Sequence, residues 1–150
     1  MPEHVYRALV LSVVKHDYLP NAVASHPRFQ LVAVADDPDC PDWTHERNQL
    51  FADQHGIPYR RDVEAALPDC DLVVVSPEAE RHCDLAQRAA RAGKHIVVEK
   101  PMALNIQQAE EMVAAADKNG VKLIAGHTQS FSPHIRLMRQ IVNSGRIGKL

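Results

Sequence analysis

Two charged groups, Glu99 and Lys100, follow directly on the apolar run His95-Ile96-Val97-Val98 and precede Pro101. A short β-branched run bounded by Gly93 and Pro101 reads as a buried parallel strand. The carboxyl ends of such strands border the ligand crevice of an open sheet, so the pair is a site candidate, with a solvated surface ion pair as the plain alternative. A lysine there can exchange a proton with a ligand when partial burial lowers its pKa. Pro101 biases Lys100 toward extended backbone and helps to aim its side chain. Asp36 closes another apolar run, Phe-Gln-Leu-Val-Ala-Val-Ala, where a carboxylate can accept hydrogen bonds from ribose hydroxyls. It can equally be the first residue of an acidic loop running to Asp42.

These residues need elements to hold them. Residues 7–14 read as a first strand, apolar on both faces, and 18–25 as a helix with Asp17 as N-cap and Pro20 in its first turn. A second strand over 29–35 completes a βαβ unit of nucleotide-binding size. Residues 43–55 are helical in pattern, with Asp42 as a cap and Gly56 as the stop; Tyr59 is at most a short strand. Asp62 caps a brief helix through Leu67, residues 71–75 form a strand, and 78–92 a helix that stops at Gly93. After the strand before Glu99, Asn105 caps a helix to Asn119 with Ile106, Ala109, Val113 and Ala116 at helical spacing. Residues 121–125 are a last strand, and 131–144 a helix with Ile135, Met138, Ile141 and Val142 inward. The alternation predicts a single α/β domain, a doubly wound parallel sheet of Rossmann type in three α/β/α layers, with strand order 3-2-1-4-5-6.

Composition excludes other classes. A chain of 150 residues, 45% apolar and 24% charged, can bury one sizeable core. A net charge of -2 and a pI near 6.5 leave no basic excess for nucleic acid. No apolar run is long enough to span a membrane and the N-terminus lacks a signal-peptide pattern, so a soluble, cytoplasmic protein is expected. Cys40, Cys70 and Cys83 show no paired spacing and read as free thiols, and the nine histidines form no helical metal-ligand pair.

Glu-Lys-Pro after a Gly-Lys-His-Ile strand, with a helix opened by Ser-Pro before it, resembles the oxidoreductase family named after glucose-fructose oxidoreductase, inositol dehydrogenase and the rhizopine protein MocA. The resemblance covers nearly the whole chain. It implies the cofactor domain of an NAD(P)-dependent dehydrogenase acting on a small-molecule hydroxyl or carbonyl substrate. It also implies that Lys100 is catalytic at the substrate hydroxyl, that Glu99 lies at the nicotinamide side, and that Ser76-Pro77 approaches the ribose and pyrophosphate. His82 matches the histidine of the family's next helix, although a lone histidine is more often packed than functional. Gly126-His127-Thr128-Gln129-Ser130-Phe131 matches the family's Gly-Phe/Tyr-Asn-x-Arg-Phe only at its ends. Its polar members, Gln129 among them, would face the nicotinamide end, and this version is similar to dihydrodiol dehydrogenases such as those of phthalate dihydrodiol. Asp36 beside Asp37 would repel a 2′-phosphate, so NAD is expected over NADP.

The loop after the first strand departs from the pattern. Ser12-Val13-Val14-Lys15-His16-Asp17 contains none of the glycines of Gly-x-Gly-x-x-Gly. Ser12 stands near the first glycine and Val14 near the second, where its side chain would push a pyrophosphate away. Asp17 would compete for the positive helix end, while Lys15 and His16 offer compensating donors. Two readings follow: weakened dinucleotide binding, which would involve Ser12, Val13 and Lys15, or a non-catalytic domain serving ligand sensing or protein interaction. The resemblance further implies a second, antiparallel-sheet domain after a Gly-x-Ile-Gly-x-Leu stretch, read here as a strand starting over 146–150. Residues 1–150 are then the dinucleotide-binding domain, and the substrate domain, with the family's acid–base Asp and His, lies outside the chain. The isolated chain is expected to be inactive and, with sheet edge exposed, to self-associate into a homo-oligomer.

Overall fold

Four largely buried apolar strands and two more accessible edge strands assemble into one parallel sheet. The computed structural model describes residues 4–148. The strands are β1 (Tyr6–Leu11), β2 (Phe29–Ala35), β3 (Tyr59–Arg60), β4 (Leu72–Val75), β5 (His95–Val98) and β6 (Leu123–Ala125). Their order is β3-β2-β1-β4-β5-β6 with every pairing parallel, as the alternation of patterns predicts. Parallel neighbours need crossovers, supplied by helices α1 (Tyr18–Ser25), α2 (Asp42–His55), α3 (Val63–Ala66), α4 (His82–Arg91) and α5 (Ile106–Lys118), with α6 (Pro133–Asn143) last.

Alternation along the strands divides the core into two layers. Leu9, Leu11, Val73, Val75, Ile96 and Val98 meet Leu85 and Ala89 of α4 and Met112 and Ala116 of α5. Ala8, Val10, Val34 and Val74 point the other way and pack against Val23 of α1 and Phe51 and Ala52 of α2. Leu9 and Ile96 are almost wholly buried, and each such side chain contributes about 1.5–3 kcal/mol. This central block fixes the carboxyl ends of β1, β4 and β5, which carry the candidate site. Among the described residues no helix is long and apolar enough to cross a membrane. The three cysteines are free thiols.

Several boundaries differ from expectation for physical reasons. β1 stops at Leu11 because Ser12 turns to φ 61°, a left-handed conformation that no strand continues. Asp17 precedes α1 but its side chain makes no capping bond. Asp42 is the first residue of α2 rather than its cap. The helix expected over 78–92 splits into a 3-10 turn, Ala79–Arg81, and α4. In α5 the expected Ala116 is buried, together with Met112, whereas Ile106 and Val113 are exposed, so the buried stripe is rotated in part from the expected one. Adjacent stripes at three-and-four spacing look alike in sequence, and only packing selects between them. α6 buries none of its residues, and Met138 and Val142 are exposed rather than inward. Arg146 and Ile147 lie in a turn, not a strand; Lys149 and Leu150 lie outside the described residues.

Capping separates two polar residues that look equivalent in sequence. The Asn105 side chain accepts from the Gln108 amide at 2.9 Å, while Asp17 caps nothing. Asn105→Ala is therefore expected to lower the unfolding free energy by about 1 kcal/mol, and Asp17→Ala by less than about 0.5 kcal/mol, in urea titrations followed by circular dichroism.

Candidate functional site

The loop between β1 and α1 is glycine-free yet follows a glycine-like path. Ser12 adopts φ 61° and is fully buried, at a local strain of roughly 1–2 kcal/mol. Its amide donates to Ala35 O at 3.1 Å, that of Val13 to Asn48 Oδ1 at 2.7 Å, and that of Val14 to Ser76 O at 3.4 Å. Backbone donors that a glycine-rich loop would present to a phosphate are thus used inside the protein. Val13 and Val14 are buried, and Val13 packs in the core layer with Val23 and Phe51. The Asp17 carboxylate does not occupy the amino end of α1, contrary to expectation, so that end stays open beside the exposed Lys15.

Asp36 ends β2 with only 1% of its surface exposed. Its Oδ1 accepts from the Asp37 amide at 2.9 Å, the Cys40 thiol at 3.2 Å and the Arg81 guanidinium; Oδ2 accepts from Asn48 Nδ2 at 2.8 Å. Burial alone would raise the carboxyl pKa, but Arg81, Ser12 and Cys40 together outweigh it and hold Asp36 below its ordinary value. Burial, and then the Asp36 carboxylate, push the Cys40 thiol up to about 12. Asp37 is paired in turn with Arg88 through bonds of 2.8 Å on both oxygens. The acidic pair expected to face a ribose is therefore neutralised by two arginines of the β4–α4 segment.

The other expected residues gather at the ends of β4 and β5. Ser76 is buried and its hydroxyl donates to His16 O at 3.1 Å, tying β4 to the β1–α1 loop. His82 is buried, with Nδ1 2.8 Å from Pro101 O and Nε2 3.3 Å from Pro77 O. The buried ring lies between the Ser76-Pro77 and Lys100-Pro101 turns and, as a neutral imidazole, donates its one N–H to one of the two carbonyls. Glu99 is 3% exposed, and its Oε1 accepts from the Tyr18 hydroxyl at 2.5 Å. Lys100 is exposed, so the partial burial expected around it is not found in this chain. Gln129 is also exposed, in a 3-10 turn after β6. Among the described residues no cluster of three or more His, Cys, Asp and Glu could hold a metal.

Asn48, Arg81 and Tyr18 were not legible as site residues. Asn48 lies on a helix of weak amphipathicity, Arg81 is one of many basic residues, and Tyr18 reads simply as the start of α1. The available clue was a polar side chain at a position the fold must bury, and that is visible only once the fold is known.

A family model described as an oxidoreductase family with an NAD-binding Rossmann fold matches residues 11–127. A 1-carboxy-3-chloro-3,4-dihydroxycyclo hexa-1,5-diene dehydrogenase of Comamonas testosteroni is 35% identical over 126 residues, covering 82% of this chain and 30% of the relative. The WlbA dehydrogenase of Bordetella pertussis, solved with NADH and UDP-GlcNAcA, matches with a TM-score of 0.85 at 25% identity over 97% of this chain and 44% of that one. A 3-ketoreductase from Actinomadura kijaniata, solved with TDP-benzene and NADP, gives 0.80 at 27% identity over 97% of this chain and 46% of that one. The chain spans less than half the length of each of these proteins.

The depressed Asp36 pKa sets a pH dependence. Its contribution to stability is complete above the ordinary carboxyl value of 3.8 and is lost as pH falls through the lower folded value. Arg81→Gln is expected to cost about 2–4 kcal/mol at pH 7 by leaving a buried carboxylate short of its cation. In denaturant titrations across pH, the gap between wild type and variant should narrow as pH falls through and below that range.

Proposed function

The chain belongs to the oxidoreductase family with an NAD-binding Rossmann fold, and on that premise we propose that it is the dinucleotide-binding domain of a dehydrogenase whose proton-handling residue is Lys100. The observation that carries this reading is the exposed ammonium of Lys100 at the carboxyl end of β5, beside the buried Glu99 and across from the open amino end of α1. Bound NAD would supply the hydride acceptor. The α1 terminus, through the amides of Tyr18 and Leu19, and Lys15 hold its pyrophosphate, since amide donors and a lysine both favour an anion. Asp36 and Asp37 lie at the adenosine-ribose end and favour NAD over NADP, by a margin that their pairing with Arg81 and Arg88 reduces. The residues present fit the cofactor at these places, and the buried Glu99 Oε2, which has no hydrogen-bond donor among the described residues, supports the fit at the other end.

Lys100, as the neutral amine, takes the hydroxyl proton of a carbinol as hydride passes to the dinucleotide, in a longer protein whose further domain shuts out water and brings the remaining acid–base groups. Likeness to a dehydrogenase named for a dihydroxycyclohexadiene, together with the Gly-His-Thr-Gln-Ser-Phe turn, favours a ring diol as substrate. The protein works in the cytoplasm, as a homo-oligomer that covers the exposed Ile124 of β6 and Ile106 and Val113 of α5.

One observation favours a second reading. Because the amides of Ser12, Val13 and Val14 all serve protein acceptors, the domain can keep its fold without gripping a phosphate, acting as a sensor or interaction module. Thermal unfolding with added ligand separates the two. NAD at about tenfold its dissociation constant should raise the melting temperature by roughly 3–6 °C, NADP less at equal concentration. No shift at millimolar dinucleotide selects the second reading. In the full-length protein, Lys100→Ala should reduce turnover by about 10²–10⁴-fold, and unchanged turnover would refute its role.

A further inference from the structure

Glu99 is held on one oxygen and left open on the other. Oε1 accepts from the Tyr18 hydroxyl at 2.5 Å and from the Lys100 amide at 2.6 Å. Oε2 is buried and meets no donor among the described residues. Buried carboxylate oxygens are nearly always hydrogen-bonded, so one without a donor at the carboxyl end of β5, the edge where open parallel sheets take ligands, points to a donor supplied by something that binds there.

Tyr18 reaches Glu99 from the other side of the crevice. It is the first residue of α1, and its hydroxyl crosses from the β1 side to the end of β5, with β4 lying between those strands. Its backbone is anchored by the next residue. Leu19 Cδ2 would stand 3.3 Å, and Val98 O 3.1 Å, from a Cβ placed on Gly126, so the absence of a side chain there lets the start of α1 close on the β5–β6 end. The Tyr18 ring also lies 5.6 Å from that of His16. Burial, and then the bond to Glu99, push the Tyr18 hydroxyl up to about 12, so it remains a donor across the physiological range.

We propose that Tyr18 is a positioning residue, which fixes the Glu99 carboxylate so that Oε2 accepts from an N–H donor at the nicotinamide end of a bound dinucleotide, its carboxamide. The assignment rests on the nucleotide-binding reading above and adds to it a specific strut: the α1 terminus both faces the pyrophosphate and aims the acceptor for the far end of the same ligand. Tyr18→Phe removes one oxygen from a half-exposed ring and leaves the packing around Leu19 in place.

The test compares NAD with ADP-ribose, which lacks the nicotinamide, by calorimetry on wild type, Tyr18→Phe, Glu99→Gln and the double variant. Tyr18→Phe should weaken NAD about tenfold and ADP-ribose by less than about twofold, since one charge-assisted hydrogen bond is at stake. Glu99→Gln should show the same selectivity on its own, and the double variant should bind NAD no more weakly than Glu99→Gln, because both changes act through one carboxylate. Equal losses for both ligands, no loss for NAD, or additive losses in the double variant overturn the assignment while leaving nucleotide binding intact. A wild-type chain that binds neither ligand removes the nucleotide reading and the assignment with it.

Discussion

A buried carboxylate is tenable only when every partner is in place, and Asp36 makes that demand at the centre of this domain. Its oxygens draw a thiol and an amide from the loop after β2, an asparagine from α2 and an arginine from the β4–α4 segment. These partners belong to three different parts of the chain, so the charge ties those parts in register. Asn48 extends the arrangement to the β1–α1 loop, because the side chain that donates to Asp36 also accepts from the Val13 amide. Loss of any single member leaves another buried polar group exposed to the low dielectric of the core.

The same network explains how a loop without glycine keeps its path. A glycine-rich turn relies on conformational freedom, whereas this turn accepts a left-handed serine and is held by acceptors on β2, α2 and β4. Freedom has been exchanged for fixation. The consequence for anions is specific: backbone donors before residue 15 are occupied, and the electropositive end of α1 is what remains.

Fold class and strand order were readable because β-branched runs of strand length alternate with helical patterns, and the stops at Gly56, Gly93 and Gly120 fall where helices end in left-handed glycines. Helix faces were less readable. In α5 the stripe through Ile106 and Val113 satisfies the same spacing as the stripe through Met112 and Ala116, and the choice depends on how the helix rolls against β5 and β6. For α6 the pattern is amphipathic, yet its apolar side is only partly covered, with Ile135 and Ile141 half-buried and Met138 exposed. The Glu99-Lys100-Pro101 corner was visible from its own residues. Its tie to Tyr18 was not, because a bond spanning 81 positions leaves no local trace.

The uneven clothing of the sheet also implies a gradient of local opening. β4 and the carboxyl-terminal parts of β1 and β2 are buried, while every residue of β6 is at least partly accessible and α6 has no buried residue. Amide exchange should therefore proceed by sub-global unfolding from the β6 edge, with β1 and β4 opening only in global unfolding. Gly126, against which Leu19 closes, sits at the end of that softest strand. The rigid half of the sheet's carboxyl edge carries Asp36 and the β1–α1 turn, and the half that carries Glu99 and Lys100 is built beside the part of the domain that opens first.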